Sequence, residues 1–254
     1  MTDVFHWREQ SPALVGFGVD WGFTSTRGGH SEGDYASLNL GGHVGDDPHA
    51  VESNRRIVAA SFDVPRDHLL FMSQCHGSDI AVVDGPWQAD PPAVDGIVTT
   101  MPDLALGVLV ADCTPVLLVD RAAGVAAAVH AGRPGMSQGI VGRAVDVMTE
   151  LGARSISAVV GPSVCGRCYE VPESMRAQAS KISPVVATVS WQGTSAIDVA
   201  AGVVDQLRAK SVEVQWISGC TRESAELFSY RRQHHTGRFA GVVRLLVPSA
   251  GRDV

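Results

Sequence analysis

Apolar residues fall into short runs along this chain, separated by glycine, proline and acidic residues. Runs of this length that are rich in β-branched residues and end at turn residues are typical of β-strands. We therefore predict strands over residues 15–23, 69–72, 80–83, 96–99, 106–111, 116–119, 125–129, 156–160, 212–217 and 241–246.

Four other segments repeat their apolar residues at helical spacing. Asp46-Asp47-Pro48 offers a helix N-cap followed by proline, and the helix continues to Ala60. The apolar residues between 135 and 151 share one face, which predicts a single amphipathic helix whose N-terminal amides point towards the preceding loop. Two more helices are predicted near 172–181 and 198–209. The mixture predicts an α+β fold.

Composition limits the class of protein. With 254 residues and 45% hydrophobic content, the chain can bury one large core, so we predict one domain over residues 1–254. A net charge of -7 without a basic block argues against nucleic acid as a partner. Residues 1–6 lack a signal-peptide pattern, and the apolar stretch 104–119 is too short and too polar to span a bilayer. We therefore expect a soluble, cytoplasmic protein without a membrane partner.

The chain has five cysteines, which is an odd number, and we expect it to be in a reducing compartment. Both points argue against a disulfide framework. Cys165 and Cys168 have the C-x-x-C spacing of a redox pair or half of a zinc site. No second C-x-x-C accompanies them, and they fall in a predicted loop. We therefore predict that they are reduced, structural cysteines.

Three short segments place a histidine or a cysteine at the edge of an apolar run: Gln74-Cys75-His76-Gly77, Ala111-Asp112-Cys113-Thr114-Pro115 and Val129-His130-Ala131-Gly132. Neighbouring strands would bring these side chains together. Two imidazoles and one thiolate are a ligand set for catalytic zinc, which keeps its fourth position for water or substrate. Spacing alone leaves a second interpretation open, in which the cysteine is buried and the histidines are hydrogen-bonded and inert.

Further motifs occur in a characteristic order along the chain: Thr26-Arg27-Gly28-Gly29, Ser37-Leu38-Asn39-Leu40-Gly41, His43-Val44-Gly45-Asp46, Asn54-Arg55-Arg56, Tyr169-Glu170-Val171 and Phe228-Ser229-Tyr230-Arg231-Arg232. With the three segments above, they resemble the bacterial YfiH family, also called polyphenol oxidase or laccase-domain proteins. That family is related to the human protein FAMIN, which metabolises purine nucleosides. The resemblance covers nearly the whole chain.

The resemblance implies stacked mixed β-sheets flanked by helices, an α/β/β/α sandwich. It also implies that His76, Cys113 and His130 bind zinc and form the catalytic trio. The implied activity is phosphorolysis of adenosine, inosine, guanosine or methylthioadenosine, with adenosine deamination in the same pocket. The expected partners are therefore a nucleoside and phosphate.

The family motifs also suggest substrate contacts. Arg27 could form two parallel bonds to phosphate oxygens, and Arg55, on the following helix, could face the same cavity. A solvated arginine is the simpler interpretation of each. The short polar groups of Ser37, Asn39 and His43 suit ribose or phosphate, and equally suit plain turn bonding.

Asp112 either orients a histidine or terminates a strand turn. Many relatives read His-Ala-Gly-Trp-Arg-Gly where this chain has Arg133-Pro134 after Gly132, which changes the loop beside the third ligand. Cys75, next to His76, could compete for soft metals.

Three other functions stay open. Copper-dependent polyphenol oxidation is disfavoured, because the chain has nine histidines and no H-x-H pair. Cys113 could instead be the nucleophile of an amidase-type hydrolase that edits cell-wall precursors. The trio could also belong to a metal-binding module without catalytic activity.

Overall fold

The computed structural model describes residues 4–13 and 16–247. Its strands, in chain order, are β1 Phe5–Ser11, β2 Gly18–Thr24, β3 Leu69–Phe71, β4 Ile80–Val82, β5 Gly96–Thr99, β6 Ala105–Val110, β7 Thr114–Asp120, β8 Val125–Ala131, β9 Ser157–Val160, β10 Ala187–Val189, β11 Ser195–Ile197, β12 Glu213–Trp216 and β13 Phe239–Leu246. Its α-helices are α1 Pro48–Ser61, α2 Arg133–Ser137, α3 Ile140–Glu150, α4 Glu173–Ile182 and α5 Val199–Ala209.

Two large mixed sheets face each other. The first has the strand order β1-β2-β13-β6-β3 and the second β12-β9-β7-β8-β5-β4, while β10 and β11 form a small hairpin. The pairs β3–β6, β4–β5 and β9–β12 are parallel, and the other pairs in the two large sheets are antiparallel. Helix α1 packs on the outer face of the first sheet, and α3 and α5 pack on the outer face of the second. The predicted α/β/β/α fold is confirmed.

The central strands are buried on both faces. In β7, Leu117 and Val119 face the first sheet, whereas Val116 and Leu118 face α3 and α5. A strand covered on both sides has no reason to alternate polar and apolar residues, so it appears in the sequence as a continuous apolar run. This is why the pattern located β6, β7 and β8.

The structure departs from the sequence predictions at several elements. Strand β1, which carries exposed polar residues at the edge of its sheet, was not predicted, and neither were the short strands β10 and β11. The predicted strand start at Val15 lies outside the described residues. The single helix expected over 135–151 is wrong: Gly139, at φ 76°, separates the five-residue α2 from α3.

No helix in the described part of the chain is long and apolar enough to cross a membrane.

A buried carboxylate holds three strands of the second sheet together. Asp120, at the end of β7, accepts backbone N–H groups from Ala122 and Ala123 in the turn to β8. It also accepts those of Arg154 and Ser155, which lead into β9. Burial alone would raise the pKa of Asp120, but these four hydrogen bonds outweigh it and lower the pKa below its ordinary value.

We predict that Asp120→Asn lowers the free energy of unfolding by about 1–3 kcal/mol near neutral pH, because an amide cannot accept all four N–H groups. A lowered folded-state pKa gives stability above the unfolded value of about 3.9, which is lost as the pH falls through the folded value. Urea titrations at several pH values should therefore show the difference from wild type shrinking below about pH 4.

The matched control is Asp146→Asn, which removes an exposed carboxylate paired with Lys210 at 2.7 Å. Such a pair contributes about 0–1 kcal/mol. A stability difference for Asp120→Asn that stays constant between about pH 7 and pH 2 would contradict the assignment.

Candidate functional site

The three predicted ligands converge at one edge of the sandwich. His76, Cys113 and His130 each offer a ligand atom, and these atoms lie within 4.8 Å of one another. Cys113 directly precedes β7 and His130 lies near the end of β8. These two strands are hydrogen-bonded neighbours. The Cys113 Sγ is 3.8 Å from the Nε2 of His76. The group is the size of a site that could hold one divalent metal ion.

Asp95, which is fully buried just before β5, positions both histidines. Its Oδ1 accepts the Nδ1–H of His130 at 2.7 Å and the backbone N–H of His76 at 3.0 Å. Its Oδ2 accepts the backbone N–H groups of Cys75 and Gly77. Because Nδ1 of His130 is engaged with Asp95, its Nε2 is the nitrogen left for a metal or for Cys113.

The loop that carries His76 is also fixed by Gln74. The side-chain amide of Gln74 donates to the backbone oxygen of Leu109 and accepts the backbone N–H of the same residue, at the end of β6. His76 itself has φ 61°, a left-handed conformation that its neighbours must maintain. Gln74 and Asp95 together account for that conformation.

Asp112 fixes the backbone on the other side of the site. It has φ 100°, and its carboxylate accepts the hydroxyls of Thr221 and Ser229 and the N–H of Arg231, each at 2.6 Å. The suggestion that Asp112 orients a histidine is therefore wrong, because its oxygens are directed to the segment 221–231. Asp95 is the carboxylate that orients a histidine.

Charge distribution within the trio favours an ion pair in the metal-free protein. Burial raises the pKa of the Cys113 thiol, but His130 and His76 outweigh this effect and lower it to about 6. Burial lowers the pKa of His130, but Cys113 and Asp95 outweigh this effect and raise it to about 9. Near neutral pH the pair is a thiolate beside an imidazolium, and a divalent metal would take the place of the proton.

Gly132 leaves room at the centre of the site. A Cβ atom at this position would lie 2.9 Å from Cδ2 of His76 and 3.3 Å from Sγ of Cys113. The backbone of Gly132 is in an ordinary extended conformation, so space, rather than backbone strain, favours glycine here.

The trio opens into a cavity of about 700 Å³. Three arginines, Arg133, Arg231 and Arg238, line it together with His43. Burial lowers the pKa of His43, and the nearby Arg238 and Arg55 lower it further, so this imidazole is neutral near pH 7.

Four other predicted contact residues do not line this cavity. Arg27 is half-exposed and pairs with Glu226 at 3.1 Å. Arg55 is covered by the ring of Phe71, and its Nε donates to the backbone oxygen of Leu40; burial lowers its pKa to about 10. Ser37 and Asn39 bond within their own loop region, and Asn39 accepts the backbone N–H of Arg238.

Sequence reasoning missed Asp95 and Arg238. Asp95 stands alone between apolar Val94 and the strand β5, and an acidic residue directly before a buried strand is the signal that could have found it. Arg238 directly precedes β13 and had no comparable motif.

Comparison with known proteins places the chain in a family. Residues 20–246 match the family described as multi-copper polyphenol oxidoreductase laccase. The chain is 53% identical over 232 residues to purine nucleoside phosphorylase SCO2081 of Streptomyces coelicolor, covering 90% of this chain and 96% of that protein. It is 33% identical over 228 residues to purine nucleoside phosphorylase YfiH of Shigella flexneri, covering 88% and 93%.

A solved structure agrees with these matches. YlmD from Geobacillus stearothermophilus superposes with a TM-score of 0.81 at 30% identity, covering 96% of this chain and all of that one. The chain belongs to the laccase-domain family, and the resemblance to YfiH proteins is confirmed.

We predict that Asp95→Asn lowers the affinity of the trio for a divalent metal by about 10- to 100-fold, the usual effect of losing a carboxylate that orients a histidine ligand. The asparagine amide would face N–H donors that Asp95 now accepts. Competition titration with a chromophoric chelator, with zinc as the probe, measures the change. Asp79→Asn is the control, because Asp79 is 80% exposed and lies on the loop that carries His76. Equal affinities for the two variants would contradict the role of Asp95.

Proposed function

We propose that this chain is a zinc-dependent purine nucleoside phosphorylase whose metal is held by His76, Cys113 and His130. The observation that carries the proposal is the meeting of this trio with three arginines in one cavity. Phosphorolysis needs phosphate bound beside a group that assists departure of the base, and the arginines and the trio could supply these two functions. The relatives named purine nucleoside phosphorylase support it.

The trio fits zinc by the chemistry of its donors. Two imidazoles and one thiolate are borderline-soft ligands, and a catalytic zinc takes three protein ligands. A histidine that binds zinc commonly donates its other ring N–H to a carboxylate that fixes its orientation, and His130 makes this hydrogen bond to Asp95. When bound, zinc supplies a Lewis acid that polarises a substrate atom or lowers the pKa of a bound water. The same chemistry would serve adenosine deamination.

Cationic side chains in the cavity supply the phosphate site. Arg238 lies beside the loop that carries His43, because Asn39 accepts its N–H and its backbone oxygen accepts the N–H of Leu40. Its guanidinium can form paired hydrogen bonds to phosphate oxygens. Arg133, which replaces the tryptophan common in relatives, adds a second cation next to the trio. Arg27 and Arg55 remain candidates from the family motifs.

The remaining walls suit a nucleoside. Tyr169 and Tyr230 provide aromatic rings, and Val164 and Val199 provide apolar contacts. In the proposed reaction a phosphate oxygen forms a bond to C1′ of the ribose while the bond from C1′ to the purine nitrogen breaks. Hydrogen phosphate loses its proton and the purine takes one up as it leaves, so the products are the free base and ribose 1-phosphate. The cationic residues of the cavity hold the phosphate in position for attack at C1′.

A second candidate is supported by one observation. A cysteine nucleophile is activated by an imidazole that a carboxylate orients. The structure has this spatial arrangement in Cys113, His130 and Asp95. In that reaction Cys113 Sγ would attack an amide carbonyl, the amine would leave with a proton from His130, and water would hydrolyse the thioester.

We expect metal-analysed protein to convert inosine and adenosine to free base and ribose 1-phosphate when phosphate is present, with about one zinc per trio. Cys113→Ala should lose both the zinc of the trio and turnover, because it removes one of three ligands. Chromatography of products with and without phosphate measures this.

Other products would decide against the proposal. Amide hydrolysis that survives chelation, with a thioester trapped on Cys113, would select the cysteine hydrolase. Quinone formation from polyphenols with added copper would select the oxidase, and inosine formed from adenosine without phosphate would indicate deamination alone.

We predict that Arg238→Gln raises the KM for phosphate by roughly 10- to 100-fold, since a hydrogen bond to a charged group is worth about 1.5–3 kcal/mol. Its zinc content should be unchanged, because Arg238 is outside the ligand group. Arg238→Lys should recover part of the loss, because an ammonium lacks the planar fork.

Phosphate titrations of Arg27→Gln and Arg56→Gln complete the set. Arg27→Gln tests the candidate from the family motifs, and Arg56, which is 67% exposed on α1, is the control. A steep rise in KM for Arg27→Gln with none for Arg238→Gln would move the phosphate site to Arg27.

A further inference from the structure

A separate group of cysteines gathers away from the trio, on two loops that are distant in the sequence. One loop contains the C-x-x-C pair noted above, and the other contributes a third cysteine and a glutamate. Their ligand atoms lie within 4.8 Å of one another: Cys165, Cys168, Cys220 and Glu223. All five cysteines of the chain are free thiols in this structure.

The two loops have the same local geometry. In the first, the N–H of Cys168 donates to the backbone oxygen of Cys165, which closes a turn over Gly166 and Arg167. In the second, the N–H of Glu223 donates to the backbone oxygen of Cys220, which closes an equivalent turn. The segment Cys220-Thr221-Arg222-Glu223 therefore takes the place of a second C-x-x-C motif, with the carboxylate of Glu223 where that motif has its second thiol.

Further contacts join the two turns. The N–H of Cys165 donates to Sγ of Cys220 at 3.5 Å. Sγ of Cys168 is 3.4 Å from Oε1 of Glu223. Cys168 is buried and Glu223 is exposed, so the group has an inner and an outer side. Arg222 donates to the backbone oxygen of Cys168 and offsets some of the negative charge.

We propose that these four residues bind a structural zinc ion. Four ligands of sulfur and oxygen complete a tetrahedron, which distinguishes a closed structural site from the three-ligand trio. Three thiolates select a thiophilic metal over magnesium or calcium. The proposal is independent of nucleoside chemistry, because none of the four residues lines the cavity.

Zinc at this position would stabilise the cavity wall. Cys165 follows Val164 and Cys168 precedes Tyr169, and both of these neighbours line the cavity. Cys220 precedes Thr221, whose hydroxyl donates to Asp112 directly before Cys113. A metal crosslink between segments 55 residues apart restricts the unfolded chain as well as these loops.

The test uses the untagged full chain purified with added zinc. The variant His76→Gln/His130→Gln removes two ligands of the trio and leaves the second group intact. We expect about two zinc ions per chain in wild type and about one in this variant, since each group binds one ion. X-ray absorption at the zinc edge of the variant should show three sulfur atoms at about 2.3 Å and one oxygen.

The reciprocal variant Cys165→Ser/Cys220→Ser should hold about one zinc and unfold at a lower temperature. Glu223→Gln should weaken zinc binding at the second group by more than the 10- to 100-fold that is typical when a residue that only orients a metal ligand is removed. Glu226→Gln is its matched control, because Glu226 lies on the same loop and pairs with Arg27 instead.

Three results would overturn the proposal. The first is a His76→Gln/His130→Gln variant that binds no zinc, and the second is a zinc shell in that variant dominated by nitrogen. The third is a disulfide among Cys165, Cys168 and Cys220, found by alkylating denatured wild-type protein and measuring its mass. None of these results depends on whether the cysteine variants fold or whether the protein turns over nucleosides.

Discussion

The candidate site depends on the burial of one carboxylate. Asp95 is fully removed from solvent, and a buried charge of this kind is stable when several donors surround it. The donors are the consecutive N–H groups of residues 75–77 and the ring of His130. The hydrogen bonds that the Asp95 carboxylate accepts therefore bring together the loop after β3 of the first sheet and strand β8 of the second sheet. The positions of His76 and His130 follow from that requirement.

A second carboxylate, that of Asp112, fixes the backbone directly before Cys113. Asp112 has an unfavourable left-handed backbone, and the hydrogen bonds from the segment 221–231 maintain it. The same segment contributes Tyr230 and Arg231 to the cavity and begins beside Cys220. The trio, the cavity wall and the cysteine group are therefore parts of one hydrogen-bonded edge of the sandwich.

The electrostatics of the cavity follow from this arrangement. A thiolate beside an imidazolium can bind a metal as the imidazolium loses its proton, and three arginines give the same cavity positive charge. Neutral His43 faces these cations and can donate or accept a hydrogen bond. The trio and these arginines line the same cavity, so the proposed metal site and the proposed phosphate site consist of different residues.

The sequence by itself determined the central strands, because residues buried on both faces produce continuous apolar runs, and it located the trio at the ends of those runs. Edge strand β1 was missed because its exposed residues carry no such pattern. Only tertiary structure decided the partners of these groups. His130 meets Asp95 across 35 residues and Cys168 meets Glu223 across 55, and such pairs leave no local periodicity. Arg27 and Arg238 illustrate the same limit: both are arginines next to strands, and the packing of the loops alone placed Arg238 in the cavity.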